Sequence, residues 1–314
     1  MNGPKTRRSL VAEEVVKLGT APIASPGGQG SPIVDGHVHV FAKLSQRYPR
    51  DVHPLYPPER EAPVELLLRV MDENAVEKAV LVPLSPHDEY VAESLRRFPG
   101  RFAGVAVFDP AVADPLEDYR RRVETSGFQG LRMFSLGDPS RSPESLPVFA
   151  LLTWMADRHH KLWYYPSPDE LPLLERTLDL LPGLDVMMNH LGFCQQGFAR
   201  DEQGRPRIDT TIPPSTLPTV LGLSRFERVC VMFSGEYAFS REAFPYPDLA
   251  VVVDAIHRAY GAGRMMWASD FPFVLEVPGY APQLSLVDSY LPGLSAEERS
   301  AIMGGTALRL FTFG

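Results

Sequence analysis

The chain has 314 residues, of which 44% are hydrophobic and 22% are charged, and its formal net charge is −8. This is an ordinary globular composition, and an acidic balance without a basic stripe argues against nucleic acid as a partner. No apolar run is long enough to span a bilayer, which argues against a membrane partner. The two cysteines, Cys194 and Cys230, make no disulfide framework, so the sequence predicts a cytoplasmic protein.

The first 31 residues are predicted to form an N-terminal extension. Residues 9–18 have the pattern of a short amphipathic helix, and residues 20–32 are rich in Gly, Pro and Ser, as linkers are. The remaining residues, 32–314, are predicted to form one domain.

From residue 33 onward, short apolar runs alternate with segments of helical periodicity. The runs predicted as strands are 33–40, 78–84, 102–108, 130–134, 161–165, 185–190, 228–233 and 264–268. The segments predicted as helices are 64–74, 88–97, 114–127, 146–159, 168–180, 215–223, 248–260, 280–291 and 295–311. Eight strands alternating with helices over about 280 residues predict the α/β class and a (β/α)8 TIM barrel. A doubly wound open sheet is the alternative, but no Gly-rich phosphate fingerprint follows any of the strands.

The first predicted strand carries two histidines, His37 and His39, in an otherwise apolar run. Side chains alternate along a strand, so both imidazoles point to the same face. The active site of such a barrel lies at the C-terminal ends of its strands. Polar candidates at the later strand ends are Arg132, Tyr165, His190, Glu236 and Asp270.

Closure of the barrel would make the first and last strands neighbours, so His37, His39 and Asp270 are expected to converge. Two histidines and a carboxylate can hold Zn²⁺ or another divalent metal. Without a metal, Asp270 could deprotonate a water molecule with the imidazoles as hydrogen-bond partners. Structural roles are also open, such as a turn cap for Asp270 or an ion pair for Arg132, but the shared position at strand ends favours function.

Several motifs in this order resemble those of one family. They are Val34-Asp35-Gly36-His37-Val38-His39, Gly130-Leu131-Arg132, Asn189-His190-Leu191-Gly192, Trp267-Ala268-Ser269-Asp270-Phe271-Pro272 and the C-terminal run 305–311. Over about residues 32–312, the chain resembles the amidohydrolase-2 branch of the amidohydrolase superfamily. That branch contains lactonases, decarboxylases and related hydrolases, and the resemblance implies a TIM barrel.

The resemblance also implies roles for individual residues. Many members hold zinc through the two strand-1 histidines, a strand-5 histidine and the strand-8 aspartate, but strand 5 here ends in Tyr164-Tyr165-Pro166. The pattern is closer to the metal-free 2-pyrone-4,6-dicarboxylate lactonases, and it also resembles the aminocarboxymuconate-semialdehyde decarboxylases. The lactonase comparison matches Asp270 to the base that activates water and Arg132 to a carboxylate-binding arginine. It matches His37, His39 and His190 to the imidazoles that polarise the carbonyl, and it matches Tyr165 and Tyr48 to two tyrosines of those lactonases. Tyr237 stands where those lactonases carry another arginine.

The sequence therefore favours a hydrolase that opens a lactone or a similar cyclic ester. One alternative is a metal-dependent non-oxidative decarboxylase of an aromatic or muconate-type acid, and another is a non-catalytic barrel that binds a small molecule. The expected partner is a small-molecule substrate with a carboxylate, and the predicted contacts are Arg132, Tyr165, Tyr48 and Glu236. Whether a metal is held by His37, His39 and Asp270, and whether the chain forms a homo-oligomer, stay open.

Overall fold

The computed structural model describes residues 31–200 and 206–314. The helix predicted at 9–18 and the linker up to residue 30 lie outside the described residues, so the N-terminal extension stays a prediction.

Eight parallel strands form the centre of the molecule, and two further strands form a small antiparallel pair. The eight are β1 (Ile33–Val38), β2 (Val76–Leu81), β3 (Phe102–Val107), β4 (Gly130–Met133), β5 (Lys161–Tyr164), β6 (Asp185–Met188), β9 (Val229–Phe233) and β10 (Met265–Trp267), and the antiparallel pair is β7 (Phe198–Arg200) and β8 (Pro206–Ile208). The order in the eight-stranded sheet is β1-β2-β3-β4-β5-β6-β9-β10. The ring closes just beyond β1 and β10, where His39 N–H donates to the Phe271 carbonyl at 2.7 Å. The predicted TIM barrel is therefore confirmed.

Helices follow the strands and cover the outside of the ring. They are α1 (Val64–Glu73), α2 (Glu89–Arg97), α3 (Pro115–Ser126), α4 (Phe149–Asp157), α5 (Leu171–Leu180), α6 (Leu217–Gly222), α7 (Glu236–Phe239), α8 (Ala250–Tyr260), α9 (Tyr280–Leu284), α10 (Leu286–Tyr290), α11 (Ala296–Ser300) and α12 (Thr306–Leu310). Local signals set several boundaries: the Asp114 side chain accepts the Glu117 N–H at the start of α3, and Ser295 with Glu298 forms a capping box at α11. None of the helices in the described part of the chain is long and apolar enough to cross a membrane.

The strands are apolar on both faces, because one face meets the helices and the other fills the ring. The larger buried cluster joins strands to helices. A second cluster collects inward side chains of alternate strand positions, including Val80, Val105, Trp163 and Met232, and it contains Phe311 after α12. This inner packing forms the floor beneath the C-terminal strand ends.

The short helix α7 was not predicted, the helix predicted at 280–291 is divided into α9 and α10, and two further regions also differ from the sequence prediction. The stretch between the sixth predicted strand and the helix predicted at 215–223 contains the antiparallel pair β7 and β8, whose strands of three residues each are too short to show an alternating pattern. The helix predicted at 295–311 is interrupted by a π-helical turn at Ala301–Gly305. At this turn Gly304 lies against the Pro32 carbonyl, where a Cβ atom would clash.

Candidate active site

The C-terminal ends of β1 and β10 bring three of the predicted site residues together. Asp270 Oδ1 lies 3.5 Å from His39 Nε2 and 3.7 Å from His37 Nε2. The backbone supports this arrangement, because the Asp270 N–H donates to the His37 carbonyl at 3.0 Å. His190, after β6, joins the group: its ring meets His37 edge-on, and its Nδ1 lies 2.9 Å from Ser234 Oγ. All four side chains are buried, and His39, His190 and Asp270 line one cavity.

Two of these residues hold a backbone conformation that residues other than glycine rarely adopt. The φ angle is +60° at Asp270 and +49° at His190. Such a conformation costs about 1–3 kcal/mol and persists only where surrounding contacts fix it. Around Asp270 those contacts include the Phe271 N–H, which donates to Ser269 Oγ at 3.0 Å. Strain of this kind clusters at active sites and supports a functional role for both strand ends.

The Asp270 carboxylate is oriented and ionised. Burial alone would raise its pKa, but the positive charge of the His39, His190 and His37 rings in their protonated forms outweighs burial and holds the pKa of Asp270 well below its ordinary value. The Tyr237 hydroxyl donates to Asp270 Oδ2 at 2.6 Å, which also favours the charged form. Oδ1 is thereby left to face the imidazoles. At neutral pH Asp270 is a carboxylate that can accept a proton.

The strand-1 histidines are part of a hydrogen-bonded chain whose protons have one consistent arrangement. Trp163 Nε1 lies 2.7 Å from His37 Nδ1, His37 Nε2 lies 3.0 Å from His39 Nε2, and His39 Nδ1 lies 2.8 Å from the Val82 carbonyl oxygen. An indole N–H only donates and a carbonyl only accepts. His37 therefore accepts at Nδ1 and donates from Nε2, and His39 accepts at Nε2 and donates from Nδ1. Burial keeps the pKa of His37 well below its ordinary value, so this ring is neutral at pH 7.

Arg132, at the end of β4, is a buried cation with an unused hydrogen-bond donor. Its Nε has no hydrogen-bond partner, and the guanidinium lies 4.8 Å from the centre of the Phe134 ring. Among residues 31–200 and 206–314, no carboxylate forms a salt bridge with it. Burial lowers its pKa, and the Asp270 charge opposes that effect. A buried guanidinium without a partner suits an anionic group of a bound molecule.

One cavity of about 220 Å³ connects these groups. His39, Arg132, Tyr165, His190 and Asp270 line it, and burial raises the pKa of the Tyr165 hydroxyl, which stays protonated as a donor. The other walls are mostly apolar and aromatic: Leu55, Tyr56, Leu84, Phe198, Ile208, Tyr237, Phe239 and Phe273. The cavity therefore offers one cation, one carboxylate and several donors between aromatic walls.

Three predicted site residues do not line this cavity. Tyr48 donates its hydroxyl to Glu93 Oε2 at 2.8 Å, so the loop turns this ring toward α2. Glu236 is completely buried at the start of α7, where it accepts a hydrogen bond from Gln283. The prediction that Tyr48 and Glu236 contact the substrate is corrected accordingly. His37 does not line the cavity itself, but it contacts His39, His190 and Asp270, which do.

Other residues at the site were not predicted from the sequence. Trp163 was missed as the partner of His37, although its position two residues before Tyr165 on the same strand was an available signal. From the sequence, Tyr237 was noted only because it stands where the related lactonases carry an arginine. Its hydrogen bond to Asp270 was not predicted. The walls from Phe198 and Ile208 depend on the β7–β8 pair, which has no clear sequence signal.

A parallel barrel with imidazoles, an arginine and a carboxylate at its C-terminal rim is the architecture of a TIM-barrel enzyme. The chain belongs to the amidohydrolase family, whose profile matches residues 34–313. The predicted membership of this branch is therefore confirmed. The family consists of enzymes that act on small molecules.

Individual relatives are similar over different extents. An L-fucono-1,5-lactonase of Burkholderia multivorans is 43% identical over 60 residues, which is 19% of this chain and 20% of that protein. A Pseudomonas putida structure assigned as a 2-pyrone-4,6-dicarboxylic acid hydrolase has 23% identity and a TM-score of 0.68, and the match covers 90% of this chain and 98% of that one. An amidohydrolase of Burkholderia multivorans with bound zinc has 21% identity and a TM-score of 0.69, over 89% and 99% of the two chains. These structural likenesses show the shared fold.

A divalent ion requires ligand atoms with free lone pairs. The ligand atoms of His37, His190 and Asp270 lie within 4.8 Å of one another, which is compatible with one ion. The positions of the imidazole protons are not compatible with a bound ion, because His37 Nε2 carries a hydrogen and the lone pair of His39 Nε2 accepts that hydrogen. Arg132 adds a positive charge to the same cavity. The donor set therefore does not fit a divalent ion held by the strand-1 histidines.

Proposed function

We propose that this protein hydrolyses a lactone or a similar cyclic ester that carries a carboxylate. The observation that supports this most directly is the pairing of an ionised, oriented Asp270 with an unpartnered Arg132 in one cavity. The carboxylate can activate water, and the guanidinium can hold an acidic substrate beside it.

In the proposed reaction, Asp270 Oδ1 accepts a proton from water as the water oxygen attacks the carbonyl carbon. Negative charge then develops on the carbonyl oxygen, and N–H and O–H donors in a buried site stabilise it. The ring C–O bond breaks as this intermediate collapses, and the proton on Asp270 passes to the leaving oxygen. One lactone and one water give one hydroxy acid.

The donors for the developing oxyanion are His190 and Tyr165. The Ser234 hydroxyl can donate to His190 Nδ1, which places the ring proton on Nε2, on the cavity side. Tyr165 meets the same ring edge-on, with centroids 5.1 Å apart. His37 and His39 are positioning residues in this proposal, since the His37 proton is already donated to His39.

The aromatic walls set a second requirement on the substrate. Besides Arg132 and the residues around Asp270, the cavity surface is mostly apolar and combines aromatic rings with aliphatic side chains, which favour a weakly polar body. The substrate class that fits is therefore a lactone with an apolar body and one acidic group.

The test is turnover of matched pairs, each a carboxylated lactone and its methyl ester, followed by acid release and by chromatography of the product. We expect the acid to be hydrolysed with a kcat/KM at least about tenfold above that of the ester, because Arg132 supplies a charge-assisted contact. Arg132→Gln should remove this preference and leave ester turnover within about threefold. Release of CO₂ from an aromatic or muconate-type acid would support the decarboxylase instead, and tight binding without turnover would support a binding barrel.

A further inference from the structure

We propose that Trp163 determines the proton arrangement of the two strand-1 histidines and thereby keeps this pair from acting as metal ligands. Trp163 does not touch the cavity, so its role is that of a positioning residue. The arrangement of these protons and lone pairs does not depend on which substrate the cavity accepts.

The position of Trp163 is fixed by packing inside the barrel. Its side chain is completely buried in the middle of β5, and its indole lies nearly parallel to the His37 ring, with an interplanar angle of 10°. Phe311 meets it edge-on from below, with ring centroids 5.6 Å apart. In this position the indole N–H donates to His37 Nδ1 at 2.7 Å.

This single donor sets the rest of the chain of hydrogen bonds. A neutral imidazole carries one proton, so acceptance at Nδ1 forces the His37 proton onto Nε2. That proton then occupies the lone pair of His39 Nε2, 3.0 Å away. The His39 proton is committed to the Val82 carbonyl at 2.8 Å. Neither histidine is left with a free lone pair toward Asp270.

The spacing of the two rings would otherwise suit a metal. Two nitrogen ligands about 2.1 Å from one ion lie roughly 3.0–3.4 Å apart, depending on the angle at the ion. The observed 3.0 Å between the two Nε2 atoms falls at the edge of this range. What excludes the ion is the proton between these atoms, and Trp163 determines its place. Without the indole donor, the proton can move to His37 Nδ1 and leave both Nε2 atoms as acceptors.

Trp267 offers a matched control. It is also completely buried in a barrel strand, but its Nε1 has no hydrogen-bond partner, and its ring packs against Tyr280 rather than a histidine. Trp267→Phe therefore removes the same atoms as Trp163→Phe without changing any donor to His37.

The first experiment is ¹⁵N NMR of the histidine rings in the full chain. The signals of His37 and His39 are assigned by their loss in the His37→Gln and His39→Gln variants. In the wild type we expect His37 to be protonated on Nε2 and His39 on Nδ1. Trp163→Phe should move the His37 proton to Nδ1, and Trp267→Phe should leave it in place. A wild-type His37 protonated on Nδ1 would overturn the proposal without the need for any variant.

The second experiment measures Zn²⁺ binding by calorimetry. Each protein is compared with the same protein carrying an added His39→Gln substitution, and only the binding that this substitution removes is counted. Trp163→Phe should bind at least tenfold more tightly than the wild type, and Trp267→Phe should stay within twofold of it. Equal affinity of the wild type and Trp163→Phe would overturn the proposal. So would tight zinc binding by the wild type that His37→Gln abolishes. Circular dichroism confirms that each variant compared is folded.

Discussion

Glu236 is a fully buried carboxyl group that lies next to an amide and not next to a cation. Its Oε2 accepts a hydrogen bond from Gln283 Nε2 at 2.6 Å, while Glu236 Oε1 and Gln283 Oε1 have no partner. A proton on the carboxyl group would let it donate to the free amide oxygen, and the two side chains would form a closed acid–amide pair. A glutamine at position 236 would make the corresponding amide–amide pair at every pH. We therefore expect Glu236→Gln to stabilise the fold at alkaline pH.

The magnitude follows from the pKa of Glu236. Burial raises it from 4.5 to about 7, and the hydrogen bond from Gln283 opposes only part of that effect. Between about pH 4.5 and pH 7 the folded protein keeps a proton that the unfolded chain releases, so stability falls as pH rises through this window. At about 1.4 kcal/mol per pKa unit, ionisation costs about 3 kcal/mol above pH 7.

The assay is urea denaturation of the wild type and of Glu236→Gln at a series of pH values. The gain in free energy of unfolding should be below about 1 kcal/mol at pH 4.5 and should reach about 3 kcal/mol at pH 8.5. Glu59→Gln, at an exposed glutamate, should show no such trend. A difference between Glu236→Gln and the wild type that does not change with pH would refute this account of the buried carboxyl group.

Two further substitutions test the groups around the base. Tyr237→Phe removes the donor that orients Asp270 through Oδ2, so kcat should fall about tenfold while the fold is kept. An unchanged kcat would contradict the assigned contact. Gly235→Ala places a Cβ atom 2.9 Å from His190 Nδ1 at a residue with φ of +82°. We expect it to lower the free energy of unfolding by about 2 kcal/mol and kcat at least about tenfold, and a variant with wild-type stability and rate would contradict the close packing of His190.

The parts of the site that depend on strand order could be predicted from the sequence. Eight strand–helix repeats determine that the first and last strands meet, so the proximity of His37, His39 and Asp270 follows from their positions at strand ends. Arg132 and His190 face the same cavity for the same reason.

The parts that depend on side-chain direction could not be predicted. Glu236 follows the left-handed Gly235, which turns the chain into α7 and points the carboxylate away from the cavity. Tyr48 sits in a long loop whose path is set by contacts with Glu93, which no local pattern encodes. The proton arrangement of the two strand-1 histidines depends on a tryptophan more than 120 residues away in the chain, and only the folded structure reveals that contact.

If Asp270 accepts the proton of an attacking water, its carboxylate is essential for turnover, and the decisive experiment measures turnover of Asp270→Asn with a carboxylated lactone that the wild type hydrolyses. An asparagine keeps the shape of the side chain and can still accept a hydrogen bond from Tyr237, but it cannot take a proton at neutral pH. We predict that kcat falls by about 10³-fold or more while the circular dichroism spectrum stays that of the wild type. A folded Asp270→Asn variant with kcat within tenfold of the wild type would contradict the claim.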